Sequence, residues 1–498
     1  MRQGSSSNGA GSEPDIGVAV IGAGFAGIGL SINLERAGIT DHALLERADA
    51  LGGTWRDNTY PGCACDVASH LYSYSFAPNP DWTRAYGQRQ EILEYLQAVA
   101  AEHDVERRIR YGTDVRHSQW DDERKLWVLE TSAGTITASV LVSAVGPFGD
   151  AVVPDLPGLE GFEGPKFHSL HWDHGHDLTG ARVAVIGTGA SAVQFVPKIQ
   201  KQVGKLTVFQ RTPPWILPRL DRRTSRIERE LLRRVPILQK LQRGALYASV
   251  ESLGLVILVN RRFRHGFEAL GRWQLRRQVK DPELRAKLTP DYVIGCKRAI
   301  LSDSYLPALT RENVEVVTSA VTEVRGNTVV AADGSEHEVD TIIFGTGFDV
   351  PSRGADRIRG RHGRSILEVY NERPQSYLGT AIAGFPNFFM MLGPFSGAGN
   401  QSALYTLESQ MAYITDALQT MEQRGAGVVE VRADVQEAFT DFAERRSADT
   451  VWLQGGCSSY YTTPDGTKNA GLWPGWSFDF RRRTRRFDAE QYELEPAA

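Results

Sequence analysis

Short runs of apolar residues, almost without polar interruption, recur along the chain, and several of them end in glycine. Residues 18–21 (VAVI) and 183–186 (VAVI) each lead into a Gly-x-Gly loop, and a helix-like segment follows each loop. Residues 140–149 (VLVSAVGPFG) and 339–349 (VDTIIFGTGFD) repeat the combination of apolar run and glycine turn. Strands buried on both faces have this character, which is typical of parallel sheets covered by helices. The pattern predicts an α/β protein.

The two Gly-x-Gly loops have the residue types that bind the pyrophosphate of a dinucleotide. The first glycine permits a tight turn, the second lets the phosphates approach the backbone, and a small third residue lets the helix pack on the strand. The helix N-terminus then offers free N–H groups and a partial positive charge. The sequence therefore predicts two Rossmann-like domains, with phosphate loops formed by Gly22, Gly24, Phe25, Ala26 and Gly27 and by Gly187, Gly189 and Ala192.

Two charged residues give these loops opposite preferences for a nucleotide with a 2′-phosphate. The loops align without a gap at an offset of 165 residues, and Glu46 and Arg211 each stand 24 residues after the first glycine of their loop. A carboxylate at the end of the second strand accepts hydrogen bonds from ribose hydroxyls and repels a 2′-phosphate, whereas a guanidinium attracts it. We therefore expect a nucleotide without a 2′-phosphate at the first loop. The second loop is expected to take NADP, with Thr212 as a further donor.

Two glycine-rich stretches favour FAD as the first nucleotide. In LGGTWRDNTYPGCACD (residues 51–66), the glycine pair lets the backbone approach the ribityl-pyrophosphate chain. A helix is expected after the loop at residues 393–402 (GPFSGAGNQS). Its N-terminal dipole would stabilise a reduced, anionic flavin ring if it points at that ring.

The order of these segments predicts that the second nucleotide domain is inserted within the first. We expect an FAD-binding domain at 15–150 and 383–498, and an NADP-binding domain at 158–216 and 293–380. Residues 217–292 contain little glycine and many Arg, Leu and Glu residues, and they predict a helical insertion that covers the active site. Residues 1–14 are rich in Ser and Gly and predict a disordered leader.

Composition narrows the partners and the location. The 498 residues carry 56 Lys and Arg against 60 Asp and Glu, a formal net charge of -4, so nothing indicates a nucleic acid or an anionic membrane as the main partner. The four cysteines lack zinc-finger spacing, and reduced thiols in a cytoplasmic protein are expected.

The uncharged run 374–407 is broken by Gly and Pro, which predicts a buried strand and a loop instead of a membrane span. The run 253–259 (LGLVILV) is also too short to span. It predicts a buried helix face, with a surface-binding patch as the alternative.

The stretch FEGPKFHSLHWD lies just before the second loop and contains Phe162, Gly164, His168, Trp172 and Asp173 at the spacing F-x-G-x-x-x-H-x-x-x-W-D. It resembles the fingerprint of type I Baeyer–Villiger monooxygenases. Related flavin-containing and N-hydroxylating monooxygenases share the Phe, Gly and His but usually differ at the Trp position. The resemblance extends over nearly the whole chain and includes GGTW, YPGCACD, GCKRAILSDSYLPAL and NAGLWPGW. It implies that the motif lies on the linker between the nucleotide domains and couples NADP binding to domain motion.

This resemblance implies an NADPH- and O2-dependent enzyme that converts ketones to esters or lactones through a flavin C4a-peroxide. Arg298 matches the family's active-site arginine, which would stabilise anionic oxygens, and Asp66 matches its acidic partner. The resemblance also implies further cofactor contacts. These are Thr54, Trp55, Arg56, Asp57, Asp66, Tyr72 and Val115 for FAD, and Thr188, Ala190, Ser191, Gln194 and Lys297 for NADP.

Other functions fit the sequence less well. A flavin-dependent S- or N-oxygenase is the nearest alternative, and a non-catalytic nucleotide sensor is a remote one. A disulfide reductase would need a redox cysteine pair after Gly-Gly-Thr, where Trp55 stands. Four histidines within residues 168–176 match no metal-binding spacing, so no metal is expected. Departures from the family at residues 457–461 (CSSYY) concern the substrate. The sequence fixes neither the ketone, nor the migrating carbon, nor the oligomeric state.

Overall fold

A computed structural model of the chain describes residues 13–254, 261–350, 354–399 and 401–497. The leader expected at 1–14 and the apolar run at 253–259 therefore fall largely outside the described residues.

The apolar runs form strands, as the pattern predicts. In the described residues the strands are β1 (Ile16–Ile21), β2 (His42–Leu45), β3 (Ile109–Arg110), β4 (Val115–Asp121), β5 (Leu126–Thr131), β6 (Gly134–Ser143), β7 (Lys166–His168), β8 (Arg182–Ile186), β9 (Lys205–Phe209), β10 (Ile216–Leu217), β11 (Ile300–Leu301), β12 (Val314–Val317), β13 (Val321–Arg325), β14 (Thr328–Ala331), β15 (Glu336–Glu338), β16 (Thr341–Phe344), β17 (Ile358–Arg359), β18 (Phe388–Met390), β19 (Ala426–Val431) and β20 (Tyr492–Pro496).

α-Helices lie between eight of the nineteen successive pairs of these strands. They are α1 (Phe25–Arg36), α2 (Thr54–Asp57), α3 (Arg89–Glu102), α4 (Ala190–Ile199), α5 (Arg226–Arg234), α6 (Pro236–Ser252), α7 (Arg261–Gln278), α8 (Pro282–Lys287), α9 (Tyr305–Leu309), α10 (Ile366–Glu372), α11 (Ala403–Arg424), α12 (Ala433–Ser447), α13 (Val451–Gln454) and α14 (Ser477–Arg483). Four of them, α5 to α8, fall in the predicted helical insertion. Among the helices of the described ranges, none combines the length and the apolar character that crossing a bilayer requires.

The first sheet has eight strands in the order β17-β4-β5-β6-β1-β2-β3, and β18 also pairs with β6. Strand β1 lies parallel to β2 and to β6, and its apolar side chains are buried on both faces, with Val18 and Val20 in one hydrophobic cluster and Ile16 and Ala19 in another. The pairing of Ile21 with Leu45 brings the ends of β1 and β2 to one edge. The first glycine loop and Glu46 therefore lie together at the carboxyl edge, where ligands bind open α/β sheets.

The second sheet has five parallel strands in the order β12-β9-β8-β16-β7. Its strands come from residues 166–344, between β6 and β17 of the first sheet. This is the predicted α/β arrangement of two Rossmann-like units, one inserted in the other, and that prediction of the fold class is confirmed. Strand β17 pairs with β4, so the chain rejoins the first sheet at residues 358–359, before the return that the sequence predicts at 383.

The cysteines differ from the sequence-based expectation. Cys296 and Cys457, 161 residues apart, form a disulfide bond, so the expectation of four reduced thiols is wrong for this pair. Sequence spacing alone could not pair them, because the fold brings the segment before β11 against the segment after α13. Cys63 and Cys65 are free and buried, and burial raises the pKa of the Cys63 thiol to about 11. Neither free thiol is ionised near neutral pH.

We predict that breaking the disulfide destabilises the protein. A cross-link over so long a stretch restricts the unfolded chain, and removing it typically costs about 2–4 kcal/mol. The variant Cys457→Ser should therefore melt at a lower temperature in differential scanning calorimetry. Dithiothreitol should lower the wild-type midpoint to that of the variant and leave the variant unchanged. Detection of four free thiols in the untreated, denatured protein would contradict the bond.

Candidate active site

A cavity of about 960 Å³ connects the carboxyl edges of the two sheets. Both glycine loops line it, as do the segments that follow β6 and β16 and a C-terminal pair of tyrosines. The predicted cofactor residues that line it are Gly22, Gly24, Phe25, Ala26, Glu46, Thr54, Trp55, Arg56, Asp57, Asp66, Tyr72, Val115, Gly187, Thr188, Gly189, Ala190, Ser191, Gln194, Arg211, Thr212 and Lys297. Gly27 and Ala192 lie behind the loops instead.

The two glycine loops have the same backbone geometry. The φ angle is +105° at Gly22 and +101° at Gly187, in the region that favours glycine. A Cβ atom at Gly22 would lie 2.9 Å from the Ala144 carbonyl oxygen, and one at Gly187 would lie 2.5 Å from that of Gly345. At Gly27 a Cβ would lie only 2.0 Å from the Gly22 oxygen. Only glycine fits these three positions, as expected for dinucleotide loops.

Each loop ends at a helix N-terminus whose N–H groups are not satisfied by a capping side chain. The N-caps of α1 and α4 are Gly24 and Gly189, and neither has a side-chain acceptor. The first N–H groups of a helix have no partner within the helix, and the helix dipole adds partial positive charge there. Both ends therefore suit a pyrophosphate group, so the residues present fit two dinucleotides.

Hydrogen bonds of Glu46 connect the first loop to the end of β2. Its carboxylate accepts hydrogen bonds from Ala23 N–H at 2.9 Å and from Ala48 N–H at 3.0 Å, and it forms a 2.9 Å ion pair with Arg56. The side chain is buried yet reaches the cavity wall. It thus has a structural role beyond the predicted ribose contact. Arg56 belongs to α2. Trp55 of the same helix donates its indole N–H to the Tyr72 hydroxyl at 3.1 Å.

The second loop lies beside two cations. Arg211 and Lys297 both line the cavity, and in the described part of the chain neither forms a salt bridge. Burial and the nearby Arg211 lower the pKa of Lys297. Two neighbouring cations that form no salt bridge are stabilised by an anion, and a 2′-phosphate supplies one.

The strand register corrects one step of the sequence comparison. Ile21 pairs with Leu45, 24 residues later, but Ile186 pairs with Phe209, 23 residues later. The position equivalent to Glu46 is therefore Gln210, which is buried and donates to the Lys287 carbonyl oxygen. Arg211 is one residue further along, where the chain turns into the cavity.

The predicted catalytic pair is brought together although its members are 232 residues apart in sequence. Arg298 Nε lies 2.6 Å from Asp66 Oδ2, and Nη2 lies 2.8 Å from Oδ1, so the pair is bidentate. The exposed fractions of the two side chains are 36% and 29%, and both face the cavity. Although burial opposes ionisation of Asp66, Arg298 holds the pKa of that carboxyl below its usual range. Asp66 in turn raises the pKa of Arg298.

Apolar and aromatic groups surround this pair. Tyr460 and Tyr461 line the cavity, with ring centroids 4.5 Å apart. Desolvation by the surrounding protein and the neighbouring Tyr461 raise the pKa of Tyr460 well above its usual value, although 46% of the residue is exposed, so this phenol stays neutral. Helix α11 begins at Ala403, as the sequence predicts, and its first turns contribute Leu404 and Leu407 to the wall.

The five residues of the predicted linker motif lie away from the cavity, with His168 at the end of the edge strand β7 and the other four before and after that strand. None of these five residues lines the cavity wall. A Cβ at Gly164 would lie 2.3 Å from the Asp340 carbonyl oxygen, which explains the glycine. Trp172 packs on Phe195 of α4, with ring centroids 5.2 Å apart, and Phe162 is buried. Asp173 accepts a hydrogen bond from the Gly175 N–H.

The histidines of this region have separate partners. Burial and nearby His171 lower the pKa of His168 to about 4, so its ring is neutral at physiological pH, and Nδ1 accepts from the Leu170 N–H. His174 bonds to Thr59, and His176 bonds to Thr341. No cluster of potential metal ligands occurs among the described residues.

Sequence reasoning missed two contributors to the cavity and its walls. Tyr292 lines the cavity, with Lys297 Nζ 5.2 Å from its ring centroid. Tyr60 donates its hydroxyl to Gln194 Oε1 at 3.0 Å, and Gln194 Nε2 donates to the Ala64 carbonyl oxygen at 2.9 Å. The quoted stretch YPGCACD contained Tyr60, but nothing in one sequence shows that it meets α4.

A profile of the flavin-binding monooxygenase-like family matches residues 16–353. The chain belongs to this family. It is similar to a Baeyer-Villiger monooxygenase of Streptomyces coelicolor, with 48% identity over 484 residues covering 96% of this chain and 93% of that one. It is also similar to a Baeyer-Villiger monooxygenase of Pseudomonas aeruginosa, with 46% identity over 481 residues covering 96% and 91%.

Solved structures agree with these relatives. Cyclohexanone monooxygenase from Rhodococcus sp. Phi1, bound to NADP+, superposes with a TM-score of 0.86 at 28% identity, covering 97% of this chain and 99% of that one. OTEMO in complex with FAD and NADP superposes with a TM-score of 0.88 at 26% identity, covering 97% and 100%. The family resemblance that the linker motif indicated is thereby confirmed.

We predict that the cation pair discriminates between nicotinamide nucleotides. Replacing Arg211 by Ala removes a charge-assisted contact to the 2′-phosphate, so the Kd for NADP⁺ should rise about 10- to 100-fold. The Kd for NAD⁺, which lacks that phosphate, should change by less than about threefold. Isothermal titration calorimetry on the flavin-loaded protein measures both constants. Arg424→Ala, an exposed substitution at the end of α11, is the control. An equal loss of affinity for both nucleotides would contradict the assignment.

Proposed function

We propose that this chain is an NADPH- and O2-dependent flavoprotein monooxygenase that converts ketones to esters or lactones, the Baeyer–Villiger oxidation. The observation that carries the proposal is the bidentate Arg298–Asp66 pair, which lies in one cavity with both dinucleotide loops. Its relatives named Baeyer-Villiger monooxygenase cover almost the whole chain and support the same activity.

The two loops would hold different cofactors. FAD would lie with its pyrophosphate at the N-terminus of α1, its ribose near Glu46, and its ring system toward α2 and Tyr72. NADP would lie at the N-terminus of α4, with its 2′-phosphate between Arg211 and Lys297. When bound, these groups supply hydride transfer from NADPH and the activation of O2.

Arg298 supplies fixed positive charge where oxygen atoms become anionic. Asp66 occupies Nε and Nη2, and in the described part of the chain Nη1 has no hydrogen-bond acceptor. This nitrogen is therefore available to an oxygen of the substrate. A guanidinium held by two hydrogen bonds stabilises developing negative charge without reorganising during the reaction.

Asp66 positions the arginine and offsets its charge. Because both oxygens of the carboxylate accept hydrogen bonds from one guanidinium, the plane of Arg298 is fixed relative to the cavity wall. Removing the carboxylate would leave a partly buried cation free to adopt other rotamers. Asp66 thus acts through Arg298 and not on the substrate.

Apolar and aromatic side chains of the cavity wall would limit the contact of water with the reacting atoms once the cofactors fill the cavity. Tyr460, Tyr461, Leu404 and Leu472 line the cavity. A dry site strengthens the interaction of Arg298 with an anionic oxygen and limits loss of activated oxygen as hydrogen peroxide.

We propose a small-molecule ketone as substrate. We further propose a cytoplasmic location.

The proposal predicts that Arg298 is required for ester formation. With a panel of linear, cyclic and aryl ketones, Arg298→Ala should form ester or lactone at least about 100-fold more slowly than the wild type. Arg298→Lys retains the charge but loses the planar guanidinium that forms two hydrogen bonds, so its rate of ester formation should remain well below that of the wild type. Gas chromatography with mass spectrometry measures the products, and flavin content and the melting midpoint show whether each variant is folded and loaded.

Two results would contradict this assignment. Ester formation by Arg298→Ala at the wild-type rate would exclude the proposed role of the arginine. A wild-type protein that oxygenates sulfides or amines but no ketone in the panel would be an S- or N-oxygenase of the same family.

A further inference from the structure

The helical insertion (217–292) differs in charge from the rest of the chain. It carries 18 Lys and Arg against 8 Asp and Glu, whereas the whole chain has a net charge of -4. The remainder of the protein is therefore acidic. Attraction of anionic NADPH would account for the basic charge of the insertion, but not for its apolar surface.

Large apolar side chains are exposed mainly on this insertion. Eight of the fourteen exposed large apolar residues of the described chain lie within it. On α5, Ile227 and Leu231 are 82% and 49% exposed, and on α6, Ile237 and Leu241 are 57% and 62% exposed. Each pair is four residues apart, so its members lie on one face of their helix.

The polarity of α6 is inverted relative to a helix that faces water. Its exposed positions include Ile237, Leu241, Ala245 and Ala248, and Lys240 is the single charged residue among them. A helix face in contact with water normally carries charged and polar residues. The only other polar residues on the exposed positions of α6 are Ser249 and Ser252, near its C-terminal end, so its N-terminal half presents an apolar outer face.

Charged groups of α6 point inward instead. Arg243 Nη1 donates to the carbonyl oxygens of His70 at 2.8 Å and Ser73 at 3.0 Å. The buried Glu251 accepts from the N–H and the hydroxyl of Ser477, at 2.7 and 2.6 Å. These bonds fix the rotation of the helix, so its apolar side is held outward.

Unpaired cations border this apolar side. Within the described residues, Arg223, Arg226 and Lys240 form no salt bridge, whereas Arg222, at the edge of α5, is paired with Glu228. Exposed apolar side chains with free cations beside them match the two parts of an anionic membrane surface, its acyl boundary and its headgroups.

We propose that the outward faces of α5 and α6 dock on an anionic lipid surface, with Ile227, Leu231, Ile237 and Leu241 at the acyl boundary and Arg223, Arg226 and Lys240 at the headgroups. A second copy of this chain fits less well, because a symmetric contact would bring the free cations of both copies together. The inference does not depend on the proposed reaction.

Vesicle sedimentation of the full-length, flavin-loaded protein tests this docking face. Vesicles of phosphatidylcholine containing about one third phosphatidylglycerol should sediment the protein, and vesicles of phosphatidylcholine alone should not. About 0.5 M NaCl should weaken the binding, since it screens the headgroup contacts. The bound fraction is measured at constant protein and increasing lipid concentration.

Variants separate the apolar from the charged contribution. The double variant Ile237→Ser with Leu241→Ser should bind anionic vesicles at least about tenfold more weakly, because two apolar side chains no longer enter the lipid. The triple variant Arg223→Gln, Arg226→Gln and Lys240→Gln should lose binding to a similar extent. Phe478→Ser, a change at an exposed aromatic residue of α14, is the matched control and should bind like the wild type. Flavin content and the rate of NADPH oxidation without lipid should be unchanged in all of them.

Three results would overturn the proposal. The first is a wild type that binds neither vesicle type, and the second is a double variant that binds like the wild type. The third is a concentration-dependent dimer, detected by light scattering, that the Ile237→Ser and Leu241→Ser changes abolish. That last result would make the face a contact between two copies of the chain.

Discussion

The ion pair between Arg298 and Asp66 connects the two halves of this protein at its candidate reaction centre. Asp66 belongs to the segment that follows the first glycine loop, and Arg298 belongs to the segment that precedes β11 in the inserted unit. A charge removed from water must be paired, and two hydrogen bonds in one plane satisfy both partners. The pair therefore exists only when the two units are correctly placed, and the site depends on their interface.

Other contacts brace the same interface. Gln194 of α4 bonds to Tyr60 and to Ala64, which lies two residues before Asp66. The disulfide bond attaches Cys296, two residues before Arg298, to the segment that carries Tyr460 and Tyr461. The Asp66 segment is thus connected to α4, and the Arg298 segment is connected to the C-terminal segment that carries the two tyrosines. Tyr60, Ala64 and Gln194 line the same cavity as both loops.

Much of the fold could be predicted because it depends on local chemistry. The signals for the two α/β units are local, because each consists of an unbroken apolar strand and the glycines that follow it, at 22 and 24 or at 187 and 189. Each signal spans about ten residues, so both units could be predicted from the sequence. The match of Arg211 to Glu46 was one residue off, because β9 pairs with β8 at a different offset from that of β2 and β1. The disulfide and the contact of Tyr60 with α4 were invisible, since each joins segments far apart in the chain. The inverted polarity of α6 was equally hidden, because periodicity shows that a helix has two faces but not which one is buried.

Incorporation of ¹⁸O from ¹⁸O2 into the product tests the central claim most directly. The flavin-loaded protein would be incubated with NADPH, ¹⁸O2 and the ketone panel, and the esters would be analysed by mass spectrometry. The account predicts one labelled oxygen in each ester or lactone, with one NADPH consumed for each product molecule. NADPH consumption that yields only hydrogen peroxide with every ketone, or an ester without label, would contradict Baeyer–Villiger oxidation by this site.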